Sequence, residues 1–144
     1  MSWTIDPTKF GDQVVEDHRR LCVAVALAID RRLVLGSPVG NPDLWKHPAP
    51  KGYVGGRFRS NWLPSINAPR TDQAPISDAA AVEGEAQEVF SAAPEFPLLF
   101  LSNNMPYATA LQYGSSTQAP SGWIETAIDA TIEAASRGRT GESL

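Results

Sequence analysis

From Ser37 to Gly56 the chain places proline at 38, 42, 48 and 50 and glycine at 40, 52, 55 and 56, a density that neither a helix nor a central strand tolerates. The stretch before it has no proline after Pro7. This break organises the chain: a helix ahead of it, a long loop or arm across it, and any sheet behind it.

Asp6 and Pro7 form an N-cap followed by a first-position proline, whose missing N–H would be unpaired there anyway. Phe10, Val14, Leu21, Val25, Ala28 and Ile29 then recur at three- and four-residue spacing, and Val15, Val23, Leu27 and Leu33 widen the apolar face. The pattern predicts a helix over 7–35, buried on more than one side. Gly36 suits the left-handed backbone that closes a helix, and Pro38 prevents continuation.

Behind the arm, residues 57–63 alternate, with Phe58, Ser60 and Trp62 on one face and Arg57, Arg59 and Asn61 on the other, as in a half-exposed strand with Trp62 as core anchor. A second strand is expected near 73–76. Asp78 caps a helix through residue 92 whose inner face is Val82, Ala86, Val89 and Phe90, against the preference of Gly84. The run FPLLFLS at 96–102 is the most apolar in the chain and predicts a buried strand in the middle of the sheet. Asn104 is placed to cap a short helix that includes Pro106 and Tyr107, ends at Gly114, and gathers Tyr107, Leu111 and Tyr113. Ser121 opens the last helix, with Ile124, Ala127, Ile128, Thr131, Ile132 and Ala135 as its apolar stripe and Gly138 closing it.

The expected fold is therefore α+β: a long N-terminal helix and a C-terminal helix packed on a small, mainly antiparallel sheet, with a Pro/Gly-rich arm over 37–56. At 144 residues the chain suits one domain, spanning 1–137, with a disordered tail over 138–144.

Charge is distributed unevenly. Residues 1–72 hold ten Lys and Arg against seven Asp and Glu, a balance of +3, whereas residues 73–144 hold two against nine, a balance of −7. Between 44 and 71 Lys46, Lys51, Arg57, Arg59 and Arg70 occur without a single acid, giving a local basic patch. The patch reads as a solvated loop, as a contact for DNA phosphates, or as a contact for the acidic half of a second copy.

Several chemistries lack their residues. No apolar run approaches the roughly 20 residues needed to span a membrane, and the N-terminus has no basic flank or apolar core of a leader, so synthesis in a cytoplasm is expected. One cysteine, Cys22, excludes an internal disulfide, and His18 and His47 do not make a zinc spacing. GYVGGRF lacks the Lys-Ser/Thr of a phosphate-binding loop, and no serine sits in a nucleophile elbow. Glu83, Glu85 and Glu88 do not converge and read as a solvated helix face; Cys22 reads as a small buried hydrophobe. No enzyme activity, metal or cofactor is expected.

The order of the short motifs carries a resemblance. A long first helix, then Ser37-Pro38-Val39, Gly55-Gly56-Arg57-Phe58-Arg59-Ser60-Asn61-Trp62, Asn104-Met105-Pro106-Tyr107-Ala108, Leu111-Gln112-Tyr113-Gly114 and Gln118-Ala119-Pro120 before a final helix resembles the neck and tail-completion proteins of long-tailed bacteriophages, the lambda minor tail protein Z group. The resemblance spans nearly the whole chain. It implies a non-enzymatic virion protein, made in the host cytoplasm, that forms a homo-oligomeric ring at the head-proximal end of the tail. Such a ring joins adjoining neck and tail-tube proteins and leaves a channel through which DNA passes without sequence-specific contact. The family pattern runs almost directly from Ser-Pro-Val to the Gly-Arg element, whereas here residues 40–54 are interposed.

A head-to-tail ring needs two different, complementary surfaces on each subunit, which a basic arm and an acidic second half supply. Lys51, Arg57 and Arg59 are the candidate cations of that interface, and Trp45, Tyr53, Met105 and Tyr107 its candidate apolar anchors, each against the alternative of local loop packing. The reading from a different class is a DNA-binding module using the basic segment 44–71 with Tyr53 and Trp45.

Overall fold

The structure, a computed structural model, describes residues 6–40, 43, 47–114 and 119–138. It is α+β: four helices and a small two-stranded antiparallel sheet, with a long N-terminal helix and a C-terminal helix. Helix α1 runs Pro7–Gly36, with the Asp6 carboxylate accepting from the Thr8 N–H at 2.9 Å as the N-cap. At its other end the helix stops where expected, but Gly36 is its last helical residue and does not turn left-handed. Ser37 closes the helix by donating from Oγ to the Leu33 carbonyl, and Trp62 Nε1 donates to the same Oγ at 2.8 Å. One hydroxyl thus ties the helix end to the segment beyond the arm.

The core is built on that tie. Phe58, Trp62 and Trp123 meet edge to face, with centroids 5.6, 6.2 and 6.4 Å apart, within the range where aromatic pairs add to their burial. Leu33, Val34, Val82, Met105 and Ala119 fill in around them. Trp62 is the core anchor expected of it. Burial along α1 is confined to its second half: residues 6–14 are all exposed, and the buried positions are Ala28, Asp30, Leu33 and Val34.

Three expectations about the sheet are corrected. Residues 57–62 are not a strand; Arg59–Asn61 form a 3-10 turn, and β1 spans only Leu63–Ile66. Ser60 Oγ donates back to the Gly56 carbonyl and Asn61 Nδ2 to that of Arg57, so side chains take the backbone partners that a ladder would need. Residues 73–76 make no strand, because the same two side chains hold them. Asn61 Oδ1 accepts from the Ala74 N–H while its Nδ2 also donates to the Ala74 carbonyl, and Ser60 Oγ accepts from the Ser77 N–H. Finally, β2 is Leu99–Ser102, half-buried and paired with β1 alone, in the register Leu63↔Ser102 to Ile66↔Leu99. The apolar run is not the middle of a sheet, and Phe96 and Leu98 stand exposed.

Helix α2 occupies Ala79–Ser91 under its Asp78 cap and buries Val82, Ala86 and Phe90, while Gly84 sits on its exposed side. Helix α3 is only Ala108–Gln112 and α4 is Trp123–Ser136. Asn104 does not cap α3, since its Nδ2 donates instead to the Arg70 and Asp72 carbonyls. Nor does Ser121 begin α4. Gly122 turns left-handed at φ 77°, and buried Gln112 replaces the cap by accepting the Ile124 N–H on Oε1. Gly138, at φ 73°, follows the end of α4; the remainder of the tail expected to be disordered lies outside the described residues. Among the described residues no helix is long and apolar enough to cross a membrane.

Candidate subunit interface

The residues singled out in the sequence divide three ways. Trp45 lies outside the described residues. Met105 belongs to the core, 4% exposed, where its N–H is held by Asn103 Oδ1, so local packing and not partner contact accounts for it. Arg59 is partly buried with its Nε enclosed and without a partner, its guanidinium lying against Gly56. Met105 is thus withdrawn from the interface set, and Arg59 is a poor reaching cation.

The remaining four stay at the surface. Lys51, Tyr53 and Arg57 are exposed along the end of the arm, and Tyr107 is 42% exposed just ahead of α3. Tyr107 stacks at a tilt on Phe58 with centroids 6.1 Å apart and donates its hydroxyl to Met105 Sδ at 3.5 Å. Burial raises its phenol pKa, Arg57 pulls it back, and Tyr53 pushes it up, which places all three side chains within electrostatic reach. Tyr113, expected beside Tyr107, is 69% exposed and beyond the end of α3. Lys51 sits on a turn closed by the Tyr53 N–H and the Pro50 carbonyl, with Gly52 at φ 78°. The end of the arm and the segment ahead of α3 therefore present a mixed aromatic and basic face: Tyr53, Arg57 and Tyr107, with Lys51 nearby in sequence.

The basic segment is less positive in three dimensions than in sequence. Arg70 bonds both Asp72 and Glu85, at 2.5 and 2.6 Å, and these partners raise its pKa and lower that of Asp72. Glu85 is therefore not simply a solvated carboxylate. Arg57 donates to Gln73 Oε1 at 3.3 Å, and Lys46 lies outside the described residues. Exposed acids stand on α4 at Glu125 and Asp129, and on or near α2 at Glu88 and Glu95.

Two features escaped the sequence reading. Cys22, expected to be buried, is half-exposed, with Sγ 3.7 Å from His18 Nε2, and His18 lies against Phe96 at 5.6 Å between centroids. The more consequential is Asp30. It is 1% exposed, its Oδ1 accepts no hydrogen bond from any described residue, and burial followed by Glu83 and Glu85 pushes its carboxyl up to about 7. The available signal is an acid that directly ends the apolar stretch over 21–29 of the helix. Among the described residues no three His, Cys, Asp or Glu side chains could together hold a metal ion. Comparison with protein-family models, curated proteins and solved structures returned no match.

Proposed function

We propose that the chain is a structural subunit of a long-tailed bacteriophage, assembling head to tail into a ring at the neck that joins tail to head around a DNA channel. The observation that carries the reading is the exposed group of Tyr53, Arg57 and Tyr107. It combines aromatic anchors with a cation, the composition enriched in protein interfaces, in a chain whose second half is acidic and can supply the opposing surface. Two further surfaces suit burial by a neighbour: the apolar positions Phe10, Val14 and Leu21 on the exposed half of α1, and the side of β2 that has no strand beside it among the described residues.

The role is mechanical and non-enzymatic, in the virion, with adjoining neck and tail-tube proteins as further partners and no cofactor. Electron microscopy of the concentrated protein, alone and with tail tubes, tests it. Closed annuli capping the tubes are expected, and the double variant Arg57→Glu, Tyr107→Ala is expected to lose them while remaining folded. Annuli that form unchanged in that variant would remove this face from the interface, and a protein that forms no annulus in either setting would remove the ring.

A further inference from the structure

Between α1 and α2 a cleft of about 330 Å³ opens to solvent. Its floor is apolar, from Ala24, Leu27 and Ala28, and its polar lining is Asp30, Arg31, Glu83 and Gln87. Asp30 is buried with Oδ1 unpartnered, and neither it nor Glu83 is in an ion pair with any described residue, Arg31 included. Gln87 commits its Nε2 to Ser91 Oγ, which leaves Oε1 as an acceptor.

We propose that this cleft receives a lysine side chain of a second copy, Lys51 on the exposed turn that follows Pro50, whose methylenes cover Ala24, Leu27 and Ala28 while its ammonium meets Asp30 and Glu83. The assignment rests on the ring reading and names one of its contacts. A bare carboxylate enclosed beside two others is unfavourable, and a cation relieves both the desolvation and the repulsion. An ammonium on an apolar stem fits a polar-walled cleft with an apolar floor. Among the described cations of the basic segment, Arg70 is neutralised, Arg57 belongs to the Tyr53–Tyr107 face and Arg59 is packed inward, whereas Lys51 is exposed on a turn and is in no ion pair with a described residue.

Two measurements on the full chain decide it. In the first, n-butylammonium chloride is titrated into protein carrying ¹³C-labelled carboxyls. Saturable shifts at Asp30 and Glu83 are expected; their absence overturns the cleft as a cation receptor. In the second, sedimentation velocity compares Lys51→Glu, Glu83→Lys and the double swap. Each single variant is expected to raise the concentration needed for association at least about tenfold, and the swap to return it to within about threefold of the parent, as for a close interfacial charge pair. Association untouched by either single variant keeps the ring and overturns this contact. A parent chain that stays monomeric overturns both the ring and the Lys51 contact, and the titration then decides the chemistry of the cleft by itself.

Discussion

Asp30 is the residue at which local chemistry and fold are most at odds. Burial and the neighbouring Glu83 and Glu85 raise its carboxyl to about 7, against roughly 3.9 in an unfolded chain. Between those values the folded state holds a proton that the unfolded state has released, so stability falls as pH rises across the window and levels off above it. The loss is on the order of 4 kcal/mol for a single carboxyl displaced this far. Asp30→Asn is neutral throughout and is expected to abolish the decline. Urea midpoints of parent and variant at pH 4.5 and pH 8 check this: the parent should lose stability between the two and the variant should not, and parallel curves would mean that Asp30 is not a buried acid in solution. Opposite behaviour belongs to Glu16, which Arg19 and Arg20 hold down to about 2 from the surface of α1.

At the scale of elements, the helices and the strand within 96–102 were legible, whereas the strands expected over 57–63 and 73–76 were not, for a reason visible at Ser60 and Asn61. The helices announce themselves through capping residues and a 3.6-residue rhythm, both local: Asp6 and Asp78 cap α1 and α2 as their positions suggest. Alternation over 57–62 is equally local, yet the segment turns because two side chains bond back onto Gly56 and Arg57 while also holding residues 74–77 across the fold. A period of two cannot report a partner that distant in sequence. The candidate interface was legible in the same measure: exposure of Lys51, Tyr53, Arg57 and Tyr107 follows from turn-rich sequence, but the inward placement of Met105 depends on the Asn103 and Asn104 tethers. Asn61→Ala would strip the part-buried Ala74 N–H and carbonyl, and the Arg57 carbonyl, of a partner. The expected cost is about 2–4 kcal/mol, read as a lower urea midpoint at unchanged slope, with residues 73–77 opening to proteolysis before the rest. A change below about 0.5 kcal/mol would place the weight of this junction on the aromatic core instead.

Across the whole molecule, α1 is longer than the body that covers it. Its 30 residues extend about 45 Å at the usual helical rise, and only the second half packs into the core through Ala28, Leu33 and Val34. Ahead of it Phe10 is 63% exposed, Val14 51% and Leu21 48%, an apolar stripe on a helix whose first half has its cap, the Glu16 pairs with Arg19 and Arg20, and tethers to the body at His18–Phe96 and Arg19–Ala93 only toward its end. Isolated helical turns of this length are marginal in water, so the stability of α1 should decline along a single continuous element. Hydrogen exchange at micromolar concentration is expected to show amides of 10–18 exchanging at least about a hundredfold faster than those of 30–36. Assembly adds the discriminating step, because a neighbour covering Phe10 and Val14 would suppress the openings that expose the first half while leaving the already protected second half unchanged. Slowing confined to 10–21 as concentration rises would identify the projecting half of α1 as part of the ring contact. Exchange there that is indifferent to concentration, in a sample that does form annuli, would leave assembly to the arm, the cleft and the Tyr53–Arg57–Tyr107 face, with the apolar stripe open to a different neck or tail protein.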